Sequence, residues 1–120
     1  MGKFKDLISY KKSYDLAMGI FKLTKTFPAE EKFALTSQMV RSSRSVCSNL
    51  AEAYRRRRYK QHFISKINDA ESENIETEIW LDFALECRYM SKDQYDYLQA
   101  KNTEVGKLLW FMIQNPEKFM

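Results

Sequence analysis

The chain has 120 residues, a length typical of one domain with its own hydrophobic core. We therefore expect residues 1–120 to form a single domain. It is 44% hydrophobic and 30% charged, with a net charge of +4 at pH 7, as in a soluble globular protein. Only three glycines and two prolines occur, which excludes an all-β protein with many turns.

The first predicted helix spans Asp6 to Thr26. Its expected core face is a series of residues spaced three and four apart: Leu7, Tyr10, Tyr14, Ala17, Phe21 and Thr24. Phe27-Pro28 ends this helix, because a residue that precedes proline disfavours the α-helical conformation.

The second predicted helix covers Ala29 to Arg55 and has two different sides. Helical spacing places one set of residues toward a core: Leu35, Met39, Ser42, Val46, Leu50 and Ala53. The opposite side mixes small hydroxyl residues with arginines: Ser37, Gln38, Arg41, Arg44, Ser45, Ser48 and Glu52. We expect the helix to break between Arg56 and Lys60, where four adjacent arginines repel one another.

The third predicted helix runs from Tyr59 to Cys87. Its expected core side comprises Phe63, Ile67, Ala70, Asn74, Thr77, Leu81, Ala84 and Leu85. A neighbouring column contains the acids Glu71, Glu78, Asp82 and Glu86. We expect these acids to pair with Arg41 and Arg44, in the same subunit or in a neighbouring one, because an unpaired carboxylate near a core is costly.

The fourth predicted helix begins with a capping box of Ser91 and Gln94 and stops at Asn115-Pro116. Its seam comprises Tyr95, Leu98, Asn102, Val105, Leu109 and Met112. Four long helices with short links predict an all-α fold, an antiparallel up-down four-helix bundle.

Charge is distributed unevenly along the chain. Between Arg41 and Lys66 the only acid is Glu52, whereas acids dominate from Ile67 to Asp96. The cations that form the candidate nucleic-acid-binding site are Arg41, Arg44, Arg55, Arg56, Arg57, Arg58 and Lys60. Tyr54 and Tyr59 add rings for stacking on bases. The same arginines also suit a solvated helix end or ion pairs between subunits.

The hydroxyl-rich side of the second helix has three interpretations. Its serines, Ser37, Ser45 and Ser48, suit close helix packing within or between subunits. With Arg41 and Arg44 they also suit phosphate binding. A serine nucleophile is disfavoured, because no base lies at a usable spacing.

The remaining reactive residues predict neither a metal site nor an active site. His62, the only histidine, has no Glu-x-x-His pairing and is expected on a helix surface. Cys47 and Cys87 are expected to be reduced and mostly buried. No cofactor, small-molecule substrate, membrane span or signal peptide is expected, which favours a cytoplasmic, non-enzymatic protein.

Several residues resemble the central motif of the four-helix-bundle protein family of bacterial 23S rRNA intervening sequences. They are Leu35-Thr36-Ser37-Gln38, Arg41, Ser45, Ser48-Asn49 and Ala51-Glu52. Phe27-Pro28 and Ile75-Glu76-Thr77 are also similar, whereas Ala53 and Tyr10 replace the usual glycine and tryptophan. The resemblance implies a left-handed bundle that forms a ring-shaped homo-oligomer, a pentamer. The sequence is also similar to the accessory bundle proteins of diversity-generating retroelements, which associate with nucleic acid.

Two functions follow from these patterns. The first is a non-enzymatic oligomeric bundle that binds nucleic acid, specifically structured RNA, through a basic surface. The alternative is an assembly or adaptor module whose arginines join subunits or a protein partner. The chain has more aromatic residues than one stripe per helix buries, including Trp80 and Trp110, which predicts a homo-oligomer larger than a dimer.

Overall fold

The computed structural model describes residues 2–120 and contains four long helices. They are α1 (Ile8–Thr24), α2 (Leu35–Arg55), α3 (Lys60–Glu86) and α4 (Lys92–Gln114). Short 3₁₀ helices lie at Phe4–Asp6, Ala29–Glu31 and Pro116–Phe119. Each long helix packs against the next, and α1 also packs against α4, so the helices enclose one core. The predicted all-α four-helix bundle is confirmed.

Contacts between helices show that neighbours run antiparallel. Between α2 and α3, Ser42 Oγ lies 2.8 Å from Thr77 Oγ1, and Glu52 lies 3.0 Å from Lys66. Residue numbers therefore rise along α2 as they fall along α3. This arrangement places the start of α1, the end of α2, the start of α3 and the end of α4 together at one end of the bundle.

The cores of α2 and α3 follow the predicted pattern. All six predicted core residues of α2 are buried, as are all those of α3 except the half-buried Leu85. The predicted break is also confirmed, because α2 ends at Arg55 and α3 begins at Lys60. The end of α4 at Gln114 agrees with the predicted stop at Asn115-Pro116.

The predicted core face of α1 is wrong in part. The buried residues are Ser9, Ser13, Leu16, Ala17, Ile20 and Thr24, whereas Tyr14 is exposed and Tyr10 is only half-buried. Ser9 Oγ donates to Met112 Sδ at 3.3 Å, and Ser13 accepts a hydrogen bond from Cys47 Sγ. Small serines let α1 approach its neighbours closely, and the larger aromatic rings lie at its flanks.

The start of α2 also differs from the prediction. Residues 29–31 form a 3₁₀ helix and the α-helix begins six residues later than expected, at Leu35. Glu31 explains the turn, because one of its carboxylate oxygens accepts the Leu35 amide at 3.2 Å and the other accepts the Tyr89 hydroxyl at 2.7 Å. The carboxylate satisfies an otherwise unpaired amide at the helix start.

A reciprocal amide pair fixes α3 against α4 inside the bundle. Asn74 donates to the Asn102 backbone and side-chain oxygens, and Asn102 Nδ2 donates to the Asn74 carbonyl at 3.0 Å. Gly106 leaves room for this pair, because a Cβ there would lie 2.8 Å from Asn74 Oδ1. Buried amides that bond each other oppose a shift in helix register.

Candidate nucleic-acid interface

The four consecutive arginines lie at the end of the bundle where α2 turns into α3. The antiparallel fold brings the amino-terminal segment to the same place. Lys3 and Lys5 line a surface groove of about 550 Å³ together with Arg55 and Arg57. We call this cluster, Lys3, Lys5 and Arg55 to Arg58, the basic end.

Lys3 and Lys5 were missed in the analysis of the sequence. The signal for them was weak, since two lysines near an amino terminus are common on protein surfaces. Only the contact between the 3₁₀ helix Phe4–Asp6 and α2 places them beside the arginines.

The arginines of the basic end differ in how they are held. The Arg57 guanidinium donates to the Tyr54 carbonyl at 2.8 Å and lies 4.0 Å from the centre of the Tyr54 ring. Arg55, Arg56 and Arg58 are exposed. Within residues 2–120 none of these three has a carboxylate within ion-pair distance. These three arginines are therefore available to an anionic ligand, whereas Arg57 also supports the turn.

Lys60 is partly neutralised. Its ammonium lies 3.1 Å from the Glu117 carboxylate, which the 3₁₀ helix after α4 brings to this end. The pKa of Glu117 is lowered, first by a hydrogen bond from its own backbone amide and then by Lys60. Among the predicted site residues, Lys60 therefore contributes less positive charge than the free arginines.

Arg41 and Arg44 lie apart from the basic end. Arg55 follows Arg44 by eleven positions, which is about 16 Å along a helix. Arg41 lies 2.9 Å from Glu76 and 3.4 Å from Glu73, so two carboxylates of α3 hold it. Arg44 lies over the Phe21 ring at 5.2 Å. The seven predicted residues thus form two separate groups.

Within one chain, the predicted pairing of Glu71, Glu78 and Asp82 with these arginines does not form, and the pairing between subunits stays a prediction. Asp82 accepts the Tyr95 hydroxyl and the Gln99 amide instead of an arginine. Glu71 and Glu78 form no ion pair within residues 2–120. The reason is helical phase: Glu73 and Glu76 face α2, whereas the column that contains Asp82 is turned toward α4.

The hydroxyl-rich side of α2 also has a different role from close packing inside the bundle. Ser42 and Ser43, on the core side, are buried, and Ser42 bonds Thr77 across to α3. Ser37 and Ser48 are exposed and Ser45 is half-buried. Within one chain, the predicted serines therefore leave a free surface.

The cysteines and the histidine lie at the surface or near it. Cys47 is half-buried and Cys87 is exposed. The expectation of two mostly buried thiols is therefore wrong for Cys87, which directly follows the last residue of α3. Burial raises the pKa of the Cys47 thiol. His62 is exposed, with its ring 5.7 Å from that of Tyr59.

The described residues, 2–120, contain neither a metal-binding cluster nor a membrane-spanning helix. No cluster of three or more histidine, cysteine, aspartate or glutamate side chains is arranged there to hold a metal ion. No helix among residues 2–120 combines the length and apolarity that a membrane crossing requires.

Known proteins share both the sequence pattern and the fold. The model of the family described as 23S rRNA-intervening sequence protein matches residues 5–110. A crystal structure of a protein of unknown function from the S23 ribosomal protein family, from Bacteroides thetaiotaomicron VPI-5482, superposes with a TM-score of 0.83. The two are 34% identical over 92% of this chain and 98% of the other. A search of curated proteins found no match. The chain therefore belongs to the 23S rRNA-intervening sequence protein family.

Proposed function

We propose that this protein is a non-enzymatic bundle that assembles with itself and binds structured RNA through its basic end. The observation that carries the proposal is the set of three exposed arginines, Arg55, Arg56 and Arg58, that have no carboxylate partner among residues 2–120. Exposed cations without a carboxylate partner displace counterions from nucleic acid when they contact its phosphates, and the release of these counterions drives binding. The family description, which names 23S rRNA, favours RNA as the anion.

Aromatic groups beside the arginines suit RNA rather than a simple anion. Tyr59 is exposed, and the Arg58 guanidinium lies 5.8 Å from the centre of its ring. RNA-binding proteins stack unpaired bases on such rings and on guanidinium planes. A loop or bulge of a folded RNA offers both phosphates and unstacked bases.

Self-assembly would strengthen this binding. The resemblance within the family implies a ring, a pentamer, and every copy in a ring presents its own basic end. Several weak sites that engage one RNA together bind more tightly than each site alone. Exposed apolar side chains support assembly, since Phe33, Phe83 and Trp110 are all exposed in the single chain.

The test combines two substitutions, Arg56→Ala and Arg58→Ala. They avoid Arg57, whose loss also disturbs Tyr54. We expect weaker binding to a structured RNA across unrelated sequences, and a plot of log affinity against log salt that is shallower by about two units. The measurement is fluorescence anisotropy with labelled RNA at several salt concentrations.

The matched control removes the same charge elsewhere. Lys22→Ala with Lys25→Ala changes two exposed cations at the opposite end of α1. This pair should leave the salt slope nearly unchanged. Equal effects from both pairs would show only a general response to net charge and would contradict an RNA site at the basic end.

One observation favours the alternative, an assembly or adaptor module. Arg41, one of the predicted cations, is already bound by Glu73 and Glu76, so its charge is compensated by protein carboxylates and is less available to a phosphate. This function predicts no RNA binding at physiological salt, or binding that the Arg56 and Arg58 substitutions leave unchanged in a folded, assembled protein.

A further inference from the structure

Helix α3 carries apolar side chains on two sides. One side fills the core, and the other points away from it with Ile75, Ile79 and Phe83. These three are 51%, 43% and 54% exposed, and their spacing of four residues aligns them along the helix. We call them the α3 line. Single exposed apolar residues are ordinary, but a continuous line over two helical turns indicates a surface that another molecule covers.

Acids border the α3 line. Glu78, Asp82 and Glu86 lie three or four residues from its members and are exposed. A partner that covers the line therefore has to supply apolar atoms in the middle and cations beside them. A nucleic acid does not fit, because its phosphates would face these carboxylates.

Helix α2 offers a surface of the opposite charge. A shallow groove of about 620 Å³ runs along it, and Lys32, Phe33, Val40 and Arg44 are among its lining residues. Phe33 is 89% exposed, the largest fraction among the exposed large hydrophobic residues of the described range, 2–120. None of the residues that line this α2 groove is acidic. Its serines and Thr36 are small and leave the space into which a helix ridge fits.

We propose that the α3 line of one copy packs into the α2 groove of the next copy. Ile75, Ile79 and Phe83 would contact Phe33 and Val40, and the bordering acids would face Lys32 and Arg44. The inference rests on the self-assembly in the proposed function and adds which surfaces meet. It assigns Arg44 to assembly and leaves the basic end free for RNA.

The position of the two surfaces decides the kind of assembly. They are different surfaces, so the contact is heterologous and each copy uses both of them. A heterologous contact produces a closed ring or an open filament according to the rotation that relates neighbouring copies.

The test mixes two variants that each lose one surface. Ile79→Glu places a charge in the α3 line, and Phe33→Glu places one in the α2 groove. Both residues are exposed in the single chain, so the fold should persist, as circular dichroism would verify. In analytical ultracentrifugation we expect each variant alone to sediment as a single chain. We expect an equimolar mixture to sediment as two chains, because each variant keeps one intact surface.

Other outcomes separate this inference from the proposed function. A wild-type protein that sediments as a single chain overturns both the inference and the assembly part of that function. An oligomeric wild type with either variant still at full mass, or with no pairing in the mixture, overturns the inference alone. An α3 line that packs against itself would leave Phe33→Glu oligomeric. Tyr97→Glu, on the exposed face of α4, serves as the control and should keep the wild-type mass.

Discussion

The two turns at either end of α3 are built in opposite ways. The turn from α3 to α4 is closed by backbone hydrogen bonds: Tyr89 donates to the Ala84 carbonyl and Arg88 to the Leu85 carbonyl, both at 2.9 Å. Arg88 has a φ of 63°, the left-handed conformation that this Schellman motif requires. Met90 is buried beyond it, and Ser91 and Gln94 form the predicted capping box. Every residue of this turn has a structural contact.

The turn from α2 to α3 also has backbone hydrogen bonds, donated by the amides of Arg56, Arg57 and Tyr59, but most of its side chains are exposed. Arg56 has a φ of −101°, so no left-handed residue is needed, and no side chain caps the start of α3 at Tyr59. Among the four arginines, which all lie within the described residues, Arg57 alone forms a side-chain hydrogen bond, to the Tyr54 carbonyl, and it also stacks on the Tyr54 ring. The side chains of the α3 to α4 turn therefore stabilise the fold, whereas most side chains of the α2 to α3 turn are exposed and do not contribute to it. Residues that the fold does not use are free to serve a ligand.

The largest expected difference concerns the apolar anchors of the two turns. Met90→Ala removes a buried side chain, and we expect it to lower the free energy of unfolding by about 2–5 kcal/mol. Tyr59→Ala changes an exposed side chain in the other turn and should cost about 0.5 kcal/mol or less. Urea denaturation of both variants measures the two values. Similar losses would show that the α2 to α3 turn is also structural.

Glycine substitutions probe the backbone of the two turns and should act with opposite signs. Arg88→Gly relieves a left-handed conformation that is unfavourable for a residue with a side chain, and should stabilise by about 0.5–1 kcal/mol. Arg56→Gly relieves nothing and gives the unfolded chain more freedom, so it should destabilise by about 0.5–1 kcal/mol. Urea denaturation measures both effects: with an unchanged slope of the unfolding free energy against urea concentration, the midpoint should rise for Arg88→Gly and fall for Arg56→Gly. Two changes of the same sign would contradict the structural difference between the turns.

The sequence predicts the parts of the fold in which hydrophobicity and burial agree. The core sides of α2 and α3 consist mainly of large apolar residues at helical spacing, and the prediction of both sides was correct. The core side of α1 does not follow this pattern, because Ser9 and Ser13 are buried and Tyr14 is exposed. Close helix approach, which small residues permit, depends on the neighbouring helices and has no signal within the helix itself.

The candidate site shows the same limit for charged residues. The arginine run was identified from its sequence alone, and its position at a turn was correct. Which arginines are free was not predictable, since Arg57 depends on the Tyr54 carbonyl and Lys60 on Glu117 from the other end of the chain. Arg57→Ala therefore removes a stacked and hydrogen-bonded side chain, whereas a run of four charged residues would by itself predict an exposed side chain with no contact to lose.

The smallest expected effect concerns the hydroxyl that ties the α3 to α4 turn to the segment before α2. The hydrogen bond from Tyr89 to the Glu31 carboxylate raises the pKa of Tyr89 to about 12, from an ordinary value of 10.0. Only the neutral hydroxyl donates, so this stabilisation is fully present below pH 10 and is lost as the pH rises from 10 toward about 12.

Tyr89→Phe removes this titration along with the hydrogen bond. The wild-type protein should have a higher melting temperature than the variant below pH 10, and the difference should shrink as the pH approaches 12. The difference between the two proteins removes every other effect of pH, since the rest of the sequence is the same in both. Tyr97→Phe, at an exposed tyrosine of α4, should show no such trend. A difference between wild type and Tyr89→Phe that stays constant across this pH range would mean that the Glu31 contact does not hold the turn in solution.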